Sequence, residues 1–175
     1  GSLTDADLHL YAVNTGGGGK ELALDVGTSL SVTATGSSFT VDRVPALTGE
    51  GALRIVTTSG DLTVDQALSA ETGVVTLISA GDVTLSAGAS VTSGAASAAV
   101  VIAAANDFIN HAGPGALSAS AGRWLVYIDD LDGNEYGSLD SGNTALWNAW
   151  DGTAASVKPE DVAAGGNRYL FAYQP

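Results

Sequence analysis

The chain has 175 residues, which is the length of one domain, and it carries 6 Lys and Arg against 19 Asp and Glu for a formal net charge of -13. This acidic excess argues against a nucleic-acid backbone or an anionic membrane as partner, and no apolar run reaches the roughly 20 residues that a membrane-spanning helix needs. The chain has no cysteine, which excludes disulfides, thiol nucleophiles and thiolate metal sites.

The first fifty residues are less regular than the rest of the chain. Gly1-Ser2 is typical of a cloning scar, and we assign residues 1–2 to it. Residues 3–50 contain short segments in which apolar residues alternate with period two, as they do in strands. These segments are Leu22–Leu24, Leu30–Val32 and Phe39–Val41.

An internal repeat becomes clear after residue 50. The segment Ser59–Val64 (Ser-Gly-Asp-Leu-Thr-Val) returns 21 positions later as Ala80–Leu85, and more weakly after a further 25 as Ala105–Asn110. An apolar pair precedes each copy, as Leu53 and Ile55 do for the first. The repeating unit therefore predicts a strand, a tight Gly-Asp or Asn-Asp turn, a second strand and a variable loop.

This repeat favours one architecture. A unit of 21 to 25 residues cannot bury its own apolar face, but stacking on a copy of itself buries it. We therefore predict an all-β fold, a right-handed parallel β-helix of about four to six coils in which Leu62, Val83 and Phe108 lie in one vertical file. The alternatives are a β-sandwich and an antiparallel stalk module.

Aromatic residues set the last part of the chain apart. Eight of the eleven Phe, Trp and Tyr residues lie after Gly122. We assign residues 3–122 to the coils and residues 123–175 to an aromatic-rich C-terminal end of the same domain. Bulky side chains at one end of a solenoid built from small residues are typical of a cap.

Several of these blocks resemble a known family. Val75–Leu85 and Ala116–Tyr127, with its Gly-Arg-Trp-Leu-Val-Tyr ending, are similar to segments of the filamentous haemagglutinin-like exoproteins. The closing Asn167–Tyr173 block resembles the segment that ends the β-helix in long members of that family. The resemblance covers roughly residues 50 to 175.

The resemblance implies a role and a location. The family consists of β-helical adhesins that Gram-negative bacteria export by two-partner secretion. It implies a secreted or surface-exposed structural segment without catalysis, an outer-membrane transporter as export partner, and a glycan or protein receptor on a host or other surface. No nucleic-acid partner and no enzyme activity are expected.

Carboxylates recur at the turns of the repeat. If Asp61, Asp82 and Asp107 occupy equivalent corners, their side chains stack along the axis. Such a stack suits a glycosidase pair, which would make the chain a polysaccharide-degrading enzyme. It also suits a calcium ladder, which would make the chain a calcium-stabilised structural segment. The alternative is that each aspartate caps a turn by accepting backbone N–H groups.

An acidic loop offers a second candidate site. Asp130, Asp132 and Asn134 place oxygen donors at the first, third and fifth positions of a calcium-binding pattern. Position six is Glu135 instead of glycine and position twelve is Ser141, so the match is partial. The loop is a candidate calcium site, with a solvated acidic turn as the alternative, and no other cofactor is expected.

The three tryptophans form the last candidate set. The flat faces of Trp124, Trp147 and Trp150 would suit stacking on sugar rings, which would make the chain a carbohydrate-binding module. The alternative is that they pack as core of the cap. The two histidines are isolated in the sequence, so a nucleophilic triad has little support.

Overall fold

A computed structural model describes residues 8–13, 29–35, 38–41, 44, 46–139, 146–147, 157–163 and 165–172. These residues form strands and one short 3₁₀ helix. All strand pairs are parallel, and the sheets stack as a β-solenoid of about four turns. The predicted all-β parallel solenoid is confirmed, whereas its right-handedness and the domain boundaries stay predictions.

In chain order the elements are β1 (Leu8–Val13), β2 (Leu30–Thr35), β3 (Phe39–Val41), β4 (Leu53–Thr57), β5 (Leu62–Val64), β6 (Ala67–Ala70), β7 (Val75–Ser79), β8 (Val83–Leu85), β9 (Ser90–Ser93), β10 (Ser97–Ala104), β11 (Phe108–Asn110), β12 (Leu117–Ala119), β13 (Gly122–Ile128), β14 (Leu146–Trp147), the 3₁₀ helix η1 (Pro159–Asp161) and β15 (Arg168–Phe171). Each full coil contributes one strand to each of three sheets. The long sheet has the order β1-β2-β4-β7-β10-β13-β15-β14, the second sheet β11-β8-β5-β3 and the third sheet β12-β9-β6.

Equivalent residues of successive coils lie directly over one another. In the second sheet Leu62 pairs with Val83, which pairs with Phe108, and Phe39 begins the same file. This is the vertical file that the repeat predicts. The third sheet was missed, because its strands fall in the segments that the repeat assigned to variable loops.

Apolar side chains fill the inside of the coils. Leu62, Val64, Val83 and Leu85 are completely buried, and the threonine between each pair points outward. This alternation buries the same face of every strand, so each coil covers the apolar residues of the next. The strands β2 and β3 of the less regular first part belong to the same stack.

Buried hydroxyl and amide groups satisfy the backbone at the corners. The Thr57 hydroxyl lies 3.2 Å from the Ser79 hydroxyl, and both donate to the carbonyl of Gly60. At another corner the Asn110 side chain accepts from the Ala112 and Gly113 N–H groups. Such bonds compensate for burial of polar groups where the chain leaves one sheet for the next.

The order of the strands changes at the C-terminal end. β14 precedes β15 in sequence but lies outside it, so that β15 is inserted between β13 and β14. Every earlier coil is added in chain order. The outermost strand of the stack, β14, therefore comes earlier in the sequence than β15, the strand on which it lies.

Candidate functional site

The three repeat aspartates, Asp61, Asp82 and Asp107, stack at one corner, and we call them the Asp ladder. The Asp82 N–H donates to Oδ1 of Asp61 at 2.9 Å, and the Asp107 N–H donates to Oδ1 of Asp82 at 3.2 Å. Below them, Ser38 Oγ accepts from the Asp61 N–H at 3.0 Å. The ladder therefore caps backbone N–H groups. The N–H groups that Asp61 and Asp82 cap lie in the coil above, and not in their own turn as expected.

Asp107 lies at the crowded upper end of the ladder. Burial raises the pKa of its carboxyl group, and Asp82, Asp130 and Asp129 raise it further. Gly133 lies against it with φ +79°, and a Cβ there would approach the carboxylate oxygens to 2.6 Å. A residue with a side chain would be excluded from this position by both contact and backbone conformation.

The candidate calcium loop is organised by its own hydrogen bonds. Asp130 Oδ1 accepts from the Asp132 N–H at 2.8 Å, and the Asn134 amide donates to the carbonyls of Asp130 and Asp132. Asn134 Oδ1 accepts from the Phe108 N–H at 2.8 Å. Two of the three predicted donor side chains thus act as turn and strand caps.

A cation site in this loop would also need metal-binding side chains that converge. Within the described part of the chain, no group of three or more His, Cys, Asp or Glu side chains is arranged to hold a metal ion. Burial and the neighbouring Asp130 raise the pKa of Asp129, as two close carboxylates require. Calcium binding by Asp130, Asp132 and Asn134 stays a prediction.

Trp124 belongs to the core of the C-terminal end. It is 2% exposed and packs edge to face on Tyr169, with ring centroids 5.1 Å apart. A ring so covered has no face for a sugar, so the expectation that Trp124 contributes to a stacking surface is corrected in favour of cap packing. The side chains of Trp147 and Trp150 lie outside the described residues, and carbohydrate contact by them stays a prediction.

Tyr169 joins the aromatic residues of this end, which we call the aromatic end: Phe108, Trp124, Tyr136, Tyr169 and Phe171. Its ring lies 4.7 Å from Tyr136 and 6.4 Å from Phe108, and its hydroxyl donates to the carbonyl of Leu139 at 3.2 Å. Burial raises the pKa of Tyr136 to about 12, with Asp107 and Asp130 adding to the effect. The phenol therefore stays protonated and serves as packing.

A histidine and a glutamate of two successive coils contact each other on the surface. His111 Nε2 lies 3.1 Å from Glu135 Oε2, and both side chains are more than half exposed. Such a pair in solvent contributes little to stability. The other histidine, His9, lies in β1, where the side chains are outside the described set.

A second apolar cluster lies on the outside of the long sheet. Its buried members are Val101, Ala103, Leu125, Tyr127, Val162, Leu170 and Ala172. Residues 157–163, which we call the covering segment, pack over them, and Nη2 of Arg123 donates to the carbonyls of Pro159 and Val162. Sequence analysis missed this cluster, although Val100–Ala104 and Trp124–Ile128 are continuous apolar runs of the kind that strands buried on both faces require.

A groove runs beside the covering segment. Its volume is about 500 Å³, and it is bounded by strands β7 and β10, Arg123 and the covering segment. Its lining residues are Val74, Thr76, Ile78, Ala96, Ser97, Ala98, Val101, Arg123, Pro159 and Glu160. The groove therefore continues the outer apolar cluster beside the covering segment.

The chain matches no known protein family, no curated protein and no solved structure. Among the helices that the structure describes, none is long and apolar enough to cross a membrane.

Proposed function

We propose that this chain is a structural segment of a secreted or cell-surface adhesin, a rigid β-helical stalk without catalysis. The observation that carries the proposal is the unbroken stack of paired residues through successive coils. In the second sheet the file runs from Phe39 through Leu62 and Val83 to Phe108 without a gap. A stack of parallel rungs with a close-packed interior resists bending, which is what a spacer between other domains needs.

The chemistry of the Asp ladder supports the same proposal. Asp61 and Asp82 are engaged by N–H groups of the neighbouring coil. A carboxylate acting as general acid, base or nucleophile must instead face its substrate. Hydrogen bonds that hold neighbouring coils together therefore account for the carboxylates of the ladder.

The location and partners follow from the family resemblance. A surface adhesin of a Gram-negative bacterium would be exported through an outer-membrane transporter and would meet a glycan or protein receptor. The long sheet is apolar on its inner face from β4 to β13, so the chain keeps its fold by packing rather than by disulfides. A fold that needs no disulfide suits a chain that folds after export.

Ligand and turnover assays test the absence of catalysis and of sugar binding. A stalk is expected to bind no glycan on an array and to release no product from acidic or neutral polysaccharides. Glycan binding that is lost in Trp147→Ala or Trp150→Ala would replace the proposal with a carbohydrate-binding module. Product release that is lost in Asp82→Asn would replace it with a polysaccharide-degrading enzyme.

Labelling of cells tests the location. Antibodies raised against the chain are expected to label intact cells of the source organism as strongly as they label lysed cells. Labelling that requires lysis would contradict a surface location. An antibody against a cytoplasmic protein serves as the control for intactness.

A further inference from the structure

The strands of the long sheet follow one another at a regular separation in the sequence. Leu30, Leu53 and Val75 are partners in adjacent strands, at separations of 23 and 22 positions. The next partners in the same file, Val100 and Trp124, follow at separations of 25 and 24 positions. One coil in this part of the sheet therefore takes 22 to 25 residues.

The strand β14 comes where a further coil would be expected in the sequence. Leu146 follows Trp124 by 22 positions, which is the separation of partners in adjacent coils. In the structure, however, β14 lies on β15, two rungs from β13. Arg168 of β15 follows its partner Leu125 by 43 positions, which is close to two coils. The spacing therefore fits the order β13-β14-β15, whereas the structure has the order β13-β15-β14.

The contact of β15 with β13 is the more extensive one. β15 pairs with β13 through four residues, whereas β14 pairs with its neighbour through two. The ring of Tyr169 packs on Trp124 with centroids 5.1 Å apart, and Asn167 Oδ1 accepts from the Trp124 N–H at 2.9 Å. The Ala172 N–H donates to the carbonyl of Ile128 at 3.0 Å. β15 is therefore the more stable neighbour of β13, although it comes later in the chain.

The strand β14 reaches β13 through the shorter loop. In the sequence, 17 residues lie between Ile128 and Leu146, whereas 39 lie between Ile128 and Arg168. The entropy lost on closing a loop grows with its length, so pairing of β14 with β13 is formed faster than pairing of β15. The neighbour that forms first and the neighbour that is more stable are therefore different strands.

We propose that the C-terminal end closes by strand exchange. β14 first pairs with β13 in chain order, and β15 then takes this place and leaves β14 on its own outer edge. Both arrangements contain two strand pairings, but the second brings Tyr169 and Asn167 onto Trp124. The exchange is independent of the stalk role, and it makes insertion of β15 the last step in closing the end.

Two cysteine pairs with one member in common distinguish the two arrangements, since the native chain has no cysteine. Leu125→Cys with Trp147→Cys, which we call the early pair, reports β14 on β13, because the two positions are 22 residues apart. In the closed end they are two rungs and three residues apart, roughly 14 Å, and a disulfide joins Cα atoms no more than about 7 Å apart. Leu125→Cys with Arg168→Cys, which we call the final pair, joins two partners in the closed end.

Samples of each variant are oxidised briefly at intervals during refolding from urea. The disulfide yield in urea gives the frequency of chance encounters. We expect the early pair to exceed this yield by about tenfold at first and then to decline as the final pair rises. Leu125→Cys with Leu146→Cys repeats the measurement for a register shifted by one residue.

A variant of β15 tests the same exchange at equilibrium. Leu170 is completely buried, so Leu170→Asp keeps β15 from its place on β13. In this background the disulfide of the early pair should persist after refolding is complete. Ser118→Asp, on an exposed position of the third sheet, adds the same charge and should leave the early pair reduced at the end of refolding.

Three outcomes would overturn the proposal. If the yields with Trp147→Cys and Leu146→Cys never exceed those in urea, during refolding and with Leu170→Asp, then β15 reaches β13 directly. If the early pair stays oxidisable in the refolded chain without Leu170→Asp, then β14 remains on β13. If the final pair forms no disulfide after refolding, then β15 does not hold the position on which the exchange depends.

Discussion

The middle coils and the C-terminal end bury their apolar residues in different ways. From β4 to β10 the apolar residues of the interior are aliphatic, and each strand lies on the one that precedes it by a coil. At the end, aromatic rings replace the aliphatic files, and β15 is inserted between β13 and β14. The repeat thus stabilises itself rung by rung, whereas its end needs large side chains and a strand from later in the chain.

This difference has a consequence for stability. A middle coil is covered above and below, so damage to it opens neighbours on both sides. Tyr169 of the aromatic end packs on Phe108 and Trp124, and its rings come from segments far apart in the chain. We therefore expect the end to open separately while the middle coils stay folded.

The largest effect is expected from a charge placed inside a middle coil. Val83 is completely buried between Leu62 and Phe108, so Val83→Asp forces a carboxyl group into an apolar file. The expected loss exceeds about 4 kcal/mol, or roughly 8 to 16 °C in melting temperature. Thr84→Asp, which changes the outward neighbour on the same strand, is the control and should melt near the parent. Equal melting of parent and Val83→Asp would refute the inward assignment.

A smaller and more local effect is expected at the aromatic end. Tyr169→Ala removes a ring that contacts Phe108, Trp124 and Tyr136, at a cost of about 3 to 5 kcal/mol to the region it supports. Hydrogen exchange should show loss of protection in β13 and β15, with β5 and β8 still protected. Loss of protection in all strands together would mean that the two regions form one cooperative unit.

Removal of a rung from the Asp ladder should cost less again. Asp61→Ala leaves the Asp82 N–H without its acceptor, and we expect a loss of about 1 kcal/mol in unfolding by denaturant. Asp61→Asn retains an oxygen at the same place and should restore most of that loss. If Asn were as damaging as Ala, the charge and not the hydrogen bond would be the stabilising element.

The smallest effect concerns the pH dependence at the ladder's upper end. The pKa of Asp107 is raised by burial first and then by Asp82, Asp130 and Asp129, so its ionised form destabilises the fold at neutral pH. The penalty is relieved as the pH falls through the folded-state pKa toward the ordinary value of 3.8. The Asp107→Asn variant should therefore have a slightly higher melting temperature than the parent at pH 7. At about pH 4 the two melting temperatures should be equal.

The control for this pH dependence is Asp65→Asn, which removes one charge from an exposed position. Asp65→Asn should change the melting temperature at pH 7 less than Asp107→Asn does. A larger shift in Asp65→Asn than in Asp107→Asn would show that only the net charge matters.

The sequence predicted the coils because their register follows from a local pattern. The Gly-Asp turn and the alternation in Leu62–Val64 and Val83–Leu85 were enough to place these strands in one file. The strands of the third sheet, such as Ser90–Ser93, were missed because small polar residues there weaken the alternation. The Asp ladder was located correctly, but the pairing of each carboxylate with the coil above depends on stacking, which no single repeat contains.

The C-terminal end was predicted only in outline. The concentration of aromatic residues indicated a cap, but nothing local indicates that Arg168–Phe171 enters between two earlier strands. The burial of Trp124 follows from its contact with Tyr169, which is 45 positions later in the sequence. Contacts over such separations are set by the packing of the whole end, which is also why the outer groove escaped prediction.

The most direct test of a rigid stack is a distance between two spin labels. The native chain has no cysteine, so Thr40→Cys and Glu135→Cys place labels at two exposed positions only. Four rungs separate them through Thr63, Thr84 and Ile109, which corresponds to about 19 Å between backbones at about 4.8 Å per rung. A rigid stack predicts one narrow distance distribution near this value after allowance for the label arms. A broad distribution, or one centred several rungs away, would contradict it.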